Sequence, residues 1–243
     1  WSPLKPLPVR KTPSRRGVRA AAVRRKRAKD PSAVRGNRSL PDREPFDPEL
    51  LPGALDIPAN WSKVFRRTAP FEVEIGSGTG RYLIARAEAN PGRNFLGIET
   101  DGEYFYIVKA RVAKRRLPNM RVSRTDAADL VATLFADACV DVYHIYFPDP
   151  WPKKRHLKRR IFQPAFCAHL RRTLKSDGVV YLATDHHDYM LELLPLLRAE
   201  LDVAECSGPW PDAPAGRTNF EVKYIREGRP IWRFMARRKG AGI

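Results

Sequence analysis

The sequence is poor in cysteine and in acid, and it contains no long apolar run. Its three cysteines, Cys139, Cys167 and Cys206, lie far apart and in no C-x-x-C arrangement, so neither a disulfide framework nor a zinc site is indicated. A reducing, cytoplasmic setting is therefore expected. No segment approaches the ~18 apolar residues of a membrane span. The first residue is Trp1, and the basic residues that follow precede no apolar stretch of the signal-peptide kind. Neither a membrane nor an obligatory protein partner is indicated, and no internal repeat is present.

Acid is the other deficit, with 27 Asp or Glu against 45 Lys or Arg and a formal net charge of +18. Such an imbalance lowers the free energy of a polyanion at the surface and favours nucleic acid or anionic lipid as partner. The excess is uneven. Residues 1–43 hold fourteen Lys or Arg against Asp30 and Asp42, two thirds of the net charge. From Trp1 to about Pro45, Pro and Arg recur without apolar periodicity, and such a segment buries too little surface to offset its ordering entropy. Residues 1–45 are expected to form a flexible basic arm, either a solubility tail or an RNA-binding arm, and residues 46–239 a single domain.

Beyond the arm the pattern is regular. Asn60 is placed to cap a short helix ending at Phe65, and Phe71–Ile75 reads as a strand running into a glycine cluster. A helical stretch around Tyr82–Ala87 follows, then a strand over Phe95–Glu99 and a helix from about Glu103 to Arg116. The alternation continues with strand 120–124, helix Ala127–Phe135, strand Val140–Phe147, helix Ile161–Leu174, strand Val179–Thr184 and helix Tyr189–Leu201. Two further strands, Val203–Cys206 and Ile231–Arg237, are joined by a long loop and a helix. This spacing predicts an α/β fold, a mostly parallel seven-stranded sheet with helices on both faces.

The glycine cluster is Glu74-Ile-Gly76-Ser-Gly78-Thr-Gly80, between a strand and a helix, where the backbone can approach a ligand. It departs from the dinucleotide fingerprint, because Arg81 stands where a third glycine would fall and Glu74 precedes the loop. An acid there repels a pyrophosphate but suits a cofactor with an ammonium group and a sulfonium, the charge pattern of S-adenosylmethionine. Glu99 ends the next strand, where a carboxylate can accept from both ribose hydroxyls, and Asp126 ends the third, within reach of an adenine edge. A lone acid at a strand end is usually a helix cap; three in succession around one glycine loop look like the cofactor site of class I methyltransferases.

The fourth strand runs out in Phe147-Pro148-Asp149-Pro150-Trp151, with Lys153–Arg160 adding six Lys or Arg and no acid. Prolines on both sides restrict Asp149, and the basic run suits phosphates. Cations at a helix N-terminus oppose its dipole, so a cluster at the start of the next helix suggests use rather than stability. The pair His186-His187 points apart and has no further ligands nearby, so no metal is expected. Thr218-x-x-Glu221 reads as a capping box.

Three segments together, Phe147–Trp151 with its basic run, Ala183-Thr184-Asp185, and Thr218-Asn219-Phe220-Glu221, closely resemble the motifs of the bacterial tRNA (guanine-N7)-methyltransferases that modify position 46. Order and spacing agree over about residues 38–239. The resemblance implies a Rossmann-like class I methyltransferase fold, S-adenosylmethionine as cofactor and tRNA as partner. It also implies site residues: Glu74, Glu99, Asp126 and Asp149 lining the cofactor site with Gly76 and Gly78 in the loop, Asp149 as the catalytic residue, and Lys153, Asp185 and Thr218, Asn219, Phe220 and Glu221 binding substrate. Guanine N7 has a lone pair and no proton, so catalysis there needs positioning more than a base. Trp151 is a candidate stacking platform for the base. Two other readings stand beside this one: a methyltransferase of another RNA or protein substrate, and a non-catalytic RNA-binding module. Against the first, amino-methylating enzymes of this fold carry a second proline that Asp149-Pro150-Trp151 lacks.

Overall fold

The computed structural model describes residues 45–208 and 218–240; the expected arm, apart from its last residue, lies outside them. Helix α1 (Trp61–Phe65) is capped by Asn60, whose side chain accepts from the Lys63 N–H. The chain then alternates β1 (Phe71–Ile75), α2 (Arg81–Ala89), β2 (Asn94–Glu99), α3 (Gly102–Arg115), β3 (Met120–Arg124), α4 (Ala127–Leu134), β4 (Val140–Tyr146) and α5 (Pro164–Thr173). It ends with β5 (Leu174–Thr184), α6 (His187–Glu200), β6 (Leu201–Glu205), α7 (Asn219–Arg226) and β7 (Trp232–Arg238).

The seven strands form one sheet in the order β3-β2-β1-β4-β5-β7-β6, parallel except for β7, which runs antiparallel to both of its neighbours. The mostly parallel seven-stranded sheet expected from the alternation is therefore present. Strands β1 and β2 are buried along their whole length because helices cover both faces. Val73, Ile75, Leu96 and Ile98 pack on one face against Leu130, Phe166, Leu170 and Leu193 of α4 to α6. Phe95, Met120 and Val122 turn the other way, toward Leu83, Phe105 and Val108 of α2 and α3. Strand order reverses between β1 and β4, and their carboxyl ends open the crevice in which ligands of such sheets bind.

Two local expectations need correction. Strand β5 starts at Leu174 rather than Val179, because Leu174 pairs with Val140 as soon as α5 ends. The basic run is not the first turn of α5. Lys154–Arg159 forms its own 3-10 segment, and α5 begins at Pro164, a residue suited to a first helical position. Those cations therefore do not stand against the dipole of α5, and their use has to rest on their exposure instead.

The face of β1 opposite Val73 carries a polar network that the strand pattern does not announce. Glu72, with no exposed surface, meets the Arg86 and Arg93 guanidiniums and accepts a hydrogen bond across 2.9 Å from His144 Nε2. The other nitrogen of His144, Nδ1, lies 2.8 Å from the Tyr146 hydroxyl. Burial pushes the Glu72 carboxyl up, but hydrogen bonds from His144 and Arg86 outweigh it and hold the group near a pKa of about 2. Among the described residues, no helix is long and apolar enough to cross a membrane, and no cluster of three metal-ligating side chains occurs. His186 caps α6 through Nδ1, which accepts from the Tyr189 N–H.

Candidate cofactor and substrate site

Beyond β1 the chain turns through Gly76 and Gly78, both at positive φ (74° and 53°), and a Cβ added at either would meet nothing within 4 Å. Their bare backbone faces open space, as a ligand-cradling loop requires. Gly80 has another reason: a Cβ there would lie 2.3 Å from Val108 Cγ2, so this glycine lets α2 pack on α3. The loop is braced from β2, with the Gly76 and Ser77 N–H groups donating to the Ile98 carbonyl at 2.9 and 3.1 Å.

Glu99 completes the brace. Its Oε2 accepts from the Gly78 N–H at 2.7 Å and its Oε1 from the Asp101 N–H at 2.9 Å. Glu74, one strand away, is 3% exposed, and its Oε2 has no hydrogen-bond partner among the described residues. Burial first, and then the charge of Glu99, hold the Glu74 carboxyl well above the usual carboxylate range. Among the described residues neither acid has an ion-pair partner, although Arg81 and Lys223 line the same cleft. A cation entering here would satisfy an orphaned acceptor and relieve the repulsion, so the residues present fit S-adenosylmethionine with its ammonium and sulfonium groups.

A cleft of about 210 Å³ opens over this loop. Of the residues singled out from sequence, it brings together Glu74, Gly76, Gly78, Thr218, Asn219 and Phe220. The last three come from the start of α7 and form the opposite wall. Asn219 Nδ2 donates to Thr79 Oγ1 at 2.8 Å, tying that wall to the glycine loop. Thr218 makes the forward half of the capping box, its Oγ1 accepting from the Glu221 N–H at 3.0 Å. The Glu221 carboxylate is engaged elsewhere, accepting from Arg233 Nη2 at 2.6 Å, and the residue is buried.

The remaining expected residues stand outside the cleft lining. Asp126 is exposed and caps α4, its Oδ1 accepting from the Ala128 and Asp129 N–H groups at 2.8 and 3.3 Å. Asp149 and Lys153 are exposed on the loop beyond β4. Asp185 pairs with Arg229, whose guanidinium lies 4.1 Å over the Tyr224 ring. That ring meets Phe147 edge-on at 5.3 Å. Trp151 is half-buried, with the Arg159 guanidinium 5.0 Å over its ring and His156 at its edge.

Thr79, Tyr82, Tyr104 and Tyr146 also line the cleft, and none of them is singled out by a sequence motif. Tyr146 is within reach of sequence reasoning, because strand alternation from Glu74 and its registered partner His144 places Tyr146 on the same face of β4. Tyr104 shows only once α3 is built onto the end of β2.

Of the three motif segments, only the start of α7 lines the cleft, while the Asp149 turn and Asp185 stand outside its lining; comparison with known proteins bears on the family. A family model described as "Putative methyltransferase" matches residues 68–234. A tRNA (guanine-N(7)-)-methyltransferase of Chromobacterium violaceum is 36% identical over 193 residues, covering 79% of this chain and 84% of that protein. Its namesake in Leifsonia xyli is 39% identical over 186 residues, covering 76% and 80%. Among solved structures, that of an antibiotic-related methyltransferase overlays with a TM-score of 0.50 at 16% identity, covering 72% of this chain and 90% of that one, a likeness of fold alone. Because the matched stretch runs from just before β1 into β7 and carries the glycine loop, the Asp149 turn and the start of α7, the chain belongs to the tRNA (guanine-N(7)-)-methyltransferase family.

Proposed function

We propose that this chain transfers a methyl group from S-adenosylmethionine to N7 of a guanosine in tRNA, the variable-loop guanosine at position 46. The observation that carries the reading is the pairing of the glycine loop that follows Glu74, whose Oε2 has no hydrogen-bond partner among the described residues, with the start of α7 across one cleft, joined by the 2.8 Å bond between Thr79 and Asn219. Cofactor and target recognition share a wall.

When bound, the cofactor supplies an activated methyl: N7 takes it with its own lone pair, the bond from sulfur breaks, and the positive charge moves from sulfur to the guanine ring. No proton leaves N7, so no residue has to act as a base there. Glu74 faces the cationic end of the cofactor, Glu99 holds the loop and accepts from the ribose, and Asp126 offers its carboxylate to the adenine edge. Asp149 accepts from guanine N1–H or N2–H and offsets the charge that develops on the ring. Thr218, Asn219, Phe220 and Asp185 bound the base. Glu221 fixes the start of α7 through Arg233, and Lys153 with the exposed basic run grips phosphates. The basic segment 1–45 adds phosphate contacts, and the setting is the cytoplasm.

The test uses unmodified tRNA transcripts incubated with protein and cofactor, then treated with borohydride and aniline, which cut at 7-methylguanosine after reduction of its cationic ring. Cleavage is expected at position 46 and absent from a transcript carrying adenosine there. Methyl incorporation without cleavage would point to another atom, and equal incorporation into both transcripts to another nucleotide.

A further inference from the structure

The basic run beyond Asp149 reads in sequence as one phosphate-gripping surface, but the structure divides it. Lys153, Lys154, Arg155, Lys158 and Arg159 are exposed, whereas Arg160 is 9% exposed. Its Nε donates to the Pro150 carbonyl at 2.6 Å, its Nη1 bonds the Glu192 carboxylate of α6, and its guanidinium lies 4.8 Å over the Tyr189 ring. One side chain ties the peptide just after Asp149 to two successive turns of α6.

The turn needs such ties. Phe147 and Trp151 both adopt positive φ, 53° and 39°, and each precedes a proline, a placement that crowds any residue with a side chain. Such backbone persists only where its surroundings over-determine it. On the β4 side the Phe147 N–H donates to the Ala183 carbonyl at 2.7 Å. On the far side the tie is Arg160.

We propose that Arg160 is a positioning residue, clamping the Asp149–Trp151 turn against α6 rather than contacting RNA. Only a planar fork can meet a carbonyl and a carboxylate while its guanidinium lies over an aromatic ring, so lysine cannot replace it even though it keeps the charge. The Tyr189 phenol is pushed up to about 12, by burial first, with Arg160 opposing and Asp149 adding to the shift. Asp149 and the clamp are thus within electrostatic reach of one ring. The role given to Asp149 rests on the proposed function; the clamp itself does not.

The test compares the full wild-type chain with Arg160→Lys and with a Lys154→Ala/Arg155→Ala reference. Turnover at saturating tRNA, the salt dependence of tRNA binding, S-adenosylmethionine affinity and amide hydrogen exchange are measured for each. Arg160→Lys should lower kcat at least about tenfold while leaving tRNA affinity, its salt slope and cofactor affinity as in wild type. Exchange should rise in peptides spanning 147–157 and not in those spanning 71–99. The reference should flatten the salt slope by about one for each phosphate left without a cation. Wild-type turnover and exchange in Arg160→Lys overturn the clamp. So does an Arg160→Ala variant that flattens the slope as the reference does, or exchange that rises throughout the sheet. If wild type itself leaves tRNA unmethylated, the functional reading falls, and the exchange pattern still decides the clamp.

Discussion

The carboxyl ends of β1 and β2 and those of β4 and β5 stand side by side in one sheet, yet they are built on opposite lines. In the first pair of strands the acids are enclosed: Glu72, toward the amino end of β1, is held by two arginines and a histidine, and Glu99, at the carboxyl end of β2, by two backbone N–H groups. One Glu74 oxygen is buried without a hydrogen-bond partner among the described residues. On the second side Asp149 and most of the basic run are exposed, and the backbone between Phe147 and Trp151 is strained. A small cofactor can be met by a preformed, largely buried site. A folded polyanion cannot be enclosed, and on the proposed function the second side, which meets it, presents exposed charge on a turn whose shape is imposed from behind by Arg160 and Ala183.

The contrast predicts different kinds of failure. The largest loss of stability belongs to the enclosed side: Glu72→Ala breaks the buried ion pair with Arg86, which costs about 3–5 kcal/mol by denaturant unfolding. Because the Glu72 pKa falls from 4.5 to about 2 on folding, its contribution is fully present above pH 4.5 and disappears as pH drops toward 2. The variant should therefore lose the part of the wild-type acid sensitivity that lies in that window. An unchanged unfolding midpoint would mean that the network adds nothing, and the enclosed side would then differ from the open one in shape alone.

Next in size is Asp149→Ala, which should reduce turnover about a hundredfold or more while the fold and cofactor affinity change little, since one group aimed at developing charge is worth that much. Near-normal turnover would remove its catalytic role. The smallest effect is expected for Glu99→Ala, with S-adenosylmethionine binding weakened roughly tenfold, the size of one or two charge-assisted hydrogen bonds. Calorimetry showing wild-type affinity in a folded Glu99→Ala protein would take Glu99 out of the site. Weakened tRNA binding at constant cofactor affinity would move it to the other side of the comparison.

Most of the fold is legible in the sequence because periodicity and burial agree from β1 through α6. The strand over Phe71–Ile75 is legible to the residue, and so is the glycine loop with the acid that precedes it. The start of α5 is not, because Ile161 and Phe162 extend its apolar pattern, whereas the helix begins where Pro164 can serve as its first residue. In the site, Gly76 and Gly78 are legible by spacing. For Asp126 the sequence leaves a helix cap and a ligand contact both open, and the structure shows the cap on α4; the Arg233 partner of Glu221 is not legible, because it lies twelve residues on, in β7.

Local pattern thus determined the order of elements, the parallel sheet, the place of the crevice and the charge of the loop that lines it. These depend on neighbours two to four residues away, which the chain states directly. Only the tertiary structure decided which charges are free and which are spent. Glu72 finds His144 seventy-two residues on, Thr79 finds Asn219 one hundred and forty residues on, and Arg160 reaches both back to Pro150 and forward to Glu192. A side chain's reach is a few ångströms while its partner's distance along the chain is arbitrary, so whether a residue like Arg160 meets a phosphate or a backbone carbonyl is settled only by packing.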